Sequence, residues 1–228
     1  MTTGETRLLF EGPDTVIYWK ESGIPTVPLK SSSNRTLLDI ASEDYPEVRS
    51  CHGMNEWEGG VIHRLDSLTK GIVLIARNQK AYDALMQQQK KDMIRKEYRA
   101  EVHEGRAIDE GFEPFSVSGC ILEYPTVITS CFRSFGPGSK SVRPVLSNPR
   151  YNTGRMYSTE VVPESGSSVI CTITRGFRHQ IRAHLAWAGY PIIGDQQYGG
   201  IPSCSFGLEA ISISYIEPCS GRKLTISV

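Results

Sequence analysis

The strongest constraint on the fold is an unbroken apolar run, Ile72-Val73-Leu74-Ile75-Ala76, entered directly from Thr69-Lys70-Gly71. A short apolar run bounded by turn residues reads as a buried strand. Ahead of it stands His63-Arg64-Leu65-Asp66-Ser67-Leu68. Asp66 is therefore held beside a rigid element, with cations and backbone donors close enough to receive an anionic partner. An Asp before a turn also serves to satisfy local backbone N–H groups, so the motif alone is open to either use.

Other segments add strands and one amphipathic helix around this run. Thr15 to Lys20 reads as a short strand, followed by a Gly turn and an extended exit through Pro25. Residues 30–60 look irregular apart from a short helix around Leu37 to Tyr45. From Gln79 to Met93, Tyr82, Leu85, Met86 and Met93 recur at helical spacing with Gln and Lys between them, the pattern of a helix packed on a sheet. Glu97 to Val102 alternates, which places Tyr98, Ala100 and Val102 on an inward strand face. A buried tyrosine needs a partner for its hydroxyl. Residues 131–157 carry spaced arginines among Gly, Pro and Ser and read as a long polar loop. Order returns at Ser168 to Thr174, and Ile211 to Tyr215 with Leu224 to Val228 forms a closing hairpin.

Composition narrows the class. Of 228 residues, 39% are hydrophobic and 22% charged, ordinary for a soluble globular chain. No apolar run approaches the ~20 residues that span a bilayer, and the first residues carry no export signal, so a cytoplasmic protein is expected. The six dispersed cysteines form no C-x-x-C pair, which argues against a disulfide framework or a zinc site. Net charge is zero, yet Arg133 to Leu185 holds eight cations against two carboxylates. Such segregation suits a polyanion bound on one face, and equally a solvated basic surface.

A second constellation follows the strand at 168–174: Arg175-Gly176-Phe177-Arg178-His179-Gln180-Ile181-Arg182-Ala183-His184-Leu185. It starts a helix ending near Gly189, with Ile181, Leu185 and Ala188 as its apolar stripe and Arg178 and Arg182 at the edge. A partly buried guanidinium needs a carboxylate or phosphate, and Asp66 is a candidate. The ordinary alternative is an amphipathic helix whose arginines face acidic neighbours. His63, His179 and His184 lack an acid or Cys at ligand spacing, so no metal is expected.

Taken in order, these segments resemble the RluA-type family of pseudouridine synthases. The match rests on His63 to Asn78 around Arg64-Leu65-Asp66, on Lys96-Glu97-Tyr98-Arg99-Ala100, and on Gly176 to Gly199. That last block contains His179-Gln180-Ile181-Arg182 and Gly194-Asp195-Gln196-Gln197-Tyr198-Gly199. Lys20 to Pro25 resembles the family's early turn. The resemblance implies an α+β fold: a long, mixed, mostly antiparallel twisted sheet with flanking helices and a central RNA-binding cleft. It also implies isomerisation of uridine to pseudouridine in ribosomal or transfer RNA without a cofactor. Asp66 matches the family's catalytic aspartate, Tyr98 the tyrosine that stacks on uracil, and Arg182 the arginine paired with the aspartate. Arg64 matches the residue that fills the gap left by a flipped base. His63, Arg64, Thr69, Lys70, Arg175, Arg178, His179 and Gln180 are the expected substrate-binding set. One catalytic domain over 1–228, without a separate N-terminal RNA-binding domain, and a monomer are expected.

The chain departs from the family pattern at Leu68, Lys70, Phe177-Arg178 and Glu209, where many relatives have Asp, Ser, Arg-Thr and His. Asp66, Tyr98 and Arg182 are unaffected, so the departures bear on substrate choice. Two other classes compete with the enzyme: a non-catalytic RNA-binding or folding factor on the same scaffold, and a small-molecule nucleotide enzyme. The absence of a phosphate-binding Gly-rich loop weighs against the second.

Overall fold

The computed structural model describes residues 5–28, 34–105, 120–146 and 155–228. Its elements give a mixed, mostly antiparallel α+β chain, arranged as two compact units: residues 1–96 with 209–228, and residues 97–208.

In the first unit, β1 (Arg7–Glu11) pairs antiparallel with β2 (Thr15–Lys20), and β2 with β3 (Lys70–Ala76). β3 carries the apolar run, and every residue from Gly71 to Ala76 is buried. Its start lies parallel to β9 (Leu208–Ile216), Lys70 opposite Glu209 and Gly71 opposite Ala210. β9 closes antiparallel with β10 (Lys223–Ser227), the expected terminal hairpin. Helix α1 (Leu37–Asp44) begins at a capping box in which Thr36 and Asp39 satisfy each other's backbone N–H groups. Helix α2 (Gln79–Lys90) starts at Asn78, whose side chain accepts from Ala81 N–H, and turns Ala81, Tyr82 and Leu85 inward. These pack with Ile17, Ile62, Ile72, Leu74, Ile213 and Tyr215 in one core, so the helix is held by its apolar face rather than by propensity.

The path into β3 depends on Gly71. Its φ is +125°, and a Cβ there would lie 2.3 Å from the Ala210 carbonyl oxygen. Only glycine lets β9 approach so closely.

In the second unit, the β4 strand (Arg95–Glu101) enters beside β8 (Ser168–Ile173), which pairs with β7 (Tyr157–Ser165) and then β5 (Thr126–Phe135). Tyr98, Ala100 and Val102 are buried, as their alternation predicts. The polar loop expected over 131–157 is corrected here. Residues 126–135 and 141–145 form an antiparallel hairpin, β5 with β6 (Ser141–Val145), and Gly136-Pro137-Gly138 lies at its turn. β6 is the outer strand, where Pro144 costs no ladder bond. Residues 147–154 of that expected loop lie outside the described ones.

Helix α3 (Gln180–Trp187) follows β8, and all eight of its residues are buried. Ala183 and Ala186 pack with Phe132, Val142 and Tyr198, while Phe177 stacks on Phe132 at 5.0 Å. Arg178 is therefore not at a helix edge: it lies in the turn before α3 and is exposed. All six cysteines are free thiols. No helix among the described residues is long and apolar enough to cross a membrane.

Candidate active site

In the first unit, the chain from Leu65 to Lys70 is fixed mostly through its backbone. The Thr26 hydroxyl and the Leu65 peptide bond each other reciprocally, 2.9 Å to the carbonyl and 3.1 Å from the N–H. Thr69 N–H donates to the Asp66 carbonyl at 3.0 Å and closes the turn, with the Thr69 side chain buried. The turn at 20–24 grips its outer side: Gly23 N–H and Lys20 Nζ both donate to the Ser67 carbonyl, at 2.8 and 3.1 Å, and the Ser22 hydroxyl donates to the Leu68 carbonyl at 2.7 Å. Lys20 is fully buried, and its ammonium also meets the carbonyls of Glu21 and Ile24. Burial lowers its pKa to about 8, against the opposing pull of Asp66 and Glu21. The ammonium beneath the turn thus lies within the field of the Asp66 carboxylate.

The neighbours of Asp66 have distinct settings. Arg64 is more than half exposed and donates to the largely buried Glu58 carboxylate at 2.7 Å. His63 Nε2 accepts from Leu74 N–H at 3.3 Å, which puts the proton on Nδ1. Burial, with help from Lys96, pushes His63 down to about 3, so the ring is neutral. Lys70 Nζ lies 3.3 Å from Glu209 Oε2.

In the second unit, Arg182 is the centre. Its side chain is 6% exposed and that of Asp195 2%. Nε donates to Asp195 Oδ2 at 2.7 Å, and Nη2 donates to Asp195 Oδ1 at 2.8 Å and to Gln197 Oε1 at 2.9 Å. The guanidinium also lies 4.9 Å from the Tyr198 ring centre and 5.4 Å from that of Phe206. The carboxylate required by the buried guanidinium is thus supplied within this unit by Asp195. Sequence reasoning quoted Asp195 and Gln197 as motif residues without giving them a task, as it did Lys20.

The remaining expected residues are placed as follows. Tyr98 is buried on β4. Gln180 is buried: its amide accepts from Phe177 N–H and donates to the Ser158 carbonyl and the Thr159 hydroxyl, tying the helix start to β7. His179, at φ +56°, turns the chain into α3 with Nδ1 3.0 Å from the Tyr198 hydroxyl, which accepts from Val142 N–H. Arg178 binds the carbonyls of Ser139 and Ser141 at the hairpin tip. Arg175 is half-buried. Within α3, His184 is fully buried between Ser130 Oγ at 2.9 Å and Thr159 Oγ1 at 2.8 Å, and burial lowers it to about 3. Among the described residues no cluster of His, Cys, Asp and Glu fits a metal ion.

Comparison with known proteins agrees with this arrangement of motifs. The family model described as RNA pseudouridylate synthase matches residues 14–187. The chain is 27% identical over 202 residues to human pseudouridylate synthase RPUSD2, covering 88% of this chain and 32% of that protein. It is 25% identical over 222 residues to the Vibrio vulnificus dual-specificity RNA pseudouridine synthase RluA, covering 94% and 79%. It is 29% identical to the uncharacterized RNA pseudouridine synthase YhcT of Bacillus subtilis, over 86% of this chain and 59% of that one. The chain thus spans about a third to three-fifths of the length of two of these three relatives. The structure of human RNA pseudouridylate synthase domain containing 1 shares the fold, with a TM-score of 0.68 and 16% identity over all of this chain and 84% of that one. The chain belongs to the RNA pseudouridylate synthase family.

Proposed function

We propose that the chain isomerises uridine to pseudouridine in ribosomal or transfer RNA, with Asp66 as nucleophile and no cofactor. The observation that carries this is the Asp66 turn: Thr26, Gly23, Ser22 and the buried Lys20 ammonium donate to the Leu65, Ser67 and Leu68 carbonyls on either side of it. Asp66 also stands where the family pattern has its catalytic aspartate. A carboxylate nucleophile must be ionised and fixed, and a nearby cation favours both.

The reaction needs no external group. The N1–C1′ bond of uridine breaks, the uracil turns, and C5 bonds to C1′ as the C5 proton is lost and N1 gains one. Asp66 attacks the nucleoside and is released again as C5 bonds to C1′, or it drives loss of the base through a sugar-derived intermediate, while Tyr98 packs on the uracil. Arg182 is the arginine that acts with Asp66. Extruding the nucleotide costs a few kcal/mol of stacking, which a partly exposed side chain such as Arg64 offsets by filling the gap. The cations of the second unit contact phosphates and position the RNA without reading its sequence.

The test is carbodiimide-based mapping of ribosomal and transfer RNA from cells with and without the gene. A site lost on deletion and restored by wild type, but not by Asp66→Ala, supports the reading. Restoration by Asp66→Ala contradicts it and points to a non-catalytic RNA-binding factor.

A further inference from the structure

We infer that Asp195 and Gln197 are positioning residues for Arg182, which works as an oriented hydrogen-bond donor rather than as a loose cation. This rests on the reading that Arg182 acts in pseudouridine formation. The bonds to Asp195 and Gln197 engage Nε and both Nη2 hydrogens, three of the five N–H groups of a guanidinium. With Nε and Nη2 held in this way, the rigid planar fork fixes the direction in which the Nη1 edge points. The rings of Tyr198 and Phe206 restrict the guanidinium further. A buried carboxylate in fork geometry also neutralises most of the charge, leaving direction as what Arg182 contributes.

The cage is itself anchored. Tyr198 is fixed by Val142 N–H and His179, and the Asp195 turn is set by Gly194, φ +85°, where a Cβ would lie 2.4 Å from the Ser205 carbonyl oxygen. Gln197 Nε2 donates to the Lys140 carbonyl at 3.2 Å and to Ser141 Oγ at 2.8 Å, while its Oε1 receives Arg182. Gln197 therefore links the tip of the β5–β6 hairpin to the guanidinium. Arg178 grips the carbonyls of Ser139 and Ser141 at the same tip.

Chemical rescue separates positioning from mere folding. Arg182→Ala empties a cage that retains a carboxylate, an amide and two aromatic faces, a fit for methylguanidinium. Its turnover is expected to fall at least a hundredfold and to recover at least tenfold, saturably, with added methylguanidinium. In Arg182→Ala/Asp195→Asn, which removes both buried charges together, no recovery is expected. Equal recovery in the two proteins overturns the inference, as does no recovery in a folded Arg182→Ala protein. Wild-type turnover by Arg182→Ala would instead overturn the underlying reading of Arg182. Gln197 is exposed, so Gln197→Ala is expected to fold as wild type. Its kcat should fall three- to tenfold with RNA affinity unchanged within twofold, and an unchanged kcat also contradicts the inference.

Discussion

Lys70 and Glu209, 139 residues apart, sit opposite each other where β3 and β9 run parallel, with Nζ 3.3 Å from Oε2. Both are positions where the sequence departs from the expected family pattern, and the structure pairs the two side chains. The pair is partly exposed, 40% and 25%, so it contributes at most about 1 kcal/mol. A double-mutant cycle with Lys70→Ser and Glu209→Gln should give a coupling of about 0.5 kcal/mol at low salt that fades at high salt. Zero coupling at low salt would show that the pair contributes nothing to stability.

Gly71→Ala, one residue on, should be far more damaging. The added Cβ meets the Ala210 carbonyl oxygen at 2.3 Å, so β3 and β9 must part. A loss of about 3 kcal/mol or more is expected in denaturant titration, because backbone cannot yield as a side-chain tip does. A loss below about 1 kcal/mol would mean that the strands are less closely apposed.

Lys20→Met removes the ammonium that ties the carbonyls of Glu21, Ile24 and Ser67. Three part-buried carbonyls lose a charged donor, at about 1 kcal/mol each where no water replaces it. Turnover should fall more than RNA affinity, since the Asp66 turn loosens while the second unit is untouched. Parallel losses in both, measured by single-turnover kinetics and filter binding, would remove Lys20 from this role.

Acid should destabilise the protein through its buried histidines. Burial holds His184 and His63 at about 3 in the folded chain, against 6.5 in the unfolded one. Below pH 6.5 the unfolded state takes up protons that the folded state does not. The stability is therefore fully present above that pH and is lost as pH falls toward 3, by up to about 1.4 kcal/mol per pH unit for each ring. His184→Gln should flatten the fall in denaturation free energy between pH 6.5 and 4.5 by about one proton's worth. An unchanged slope would mean that His184 is protonated in the fold.

Much of this was legible in the sequence where a period repeats. β3 announced itself as an apolar run, α2 by its spacing, and β4 by Tyr98, Ala100 and Val102. The β5–β6 hairpin did not, because Gly136-Pro137-Gly138 and Pro144 are loop residues locally and an outer strand only in context. The wheel of α3 is also incomplete: it gives a stripe of Ile181, Leu185 and Ala188 with arginines at its edge, yet all eight residues of the helix are buried. The pairing of Arg182 with Asp195 is hidden for a related reason. Asp195 lies 13 residues on, across a glycine turn, where no helical or strand period connects the two. Lys20 read as the end of a strand, and only the carbonyls that fold returns to it reveal its task.

The most direct test of the account is turnover by purified Asp66→Asn protein on an RNA that the wild type modifies, with affinity measured in parallel. The account predicts no detectable pseudouridine, with RNA affinity within threefold of wild type and an unchanged melting temperature. Pseudouridine formed at the wild-type rate would contradict it and move the chemistry away from Asp66.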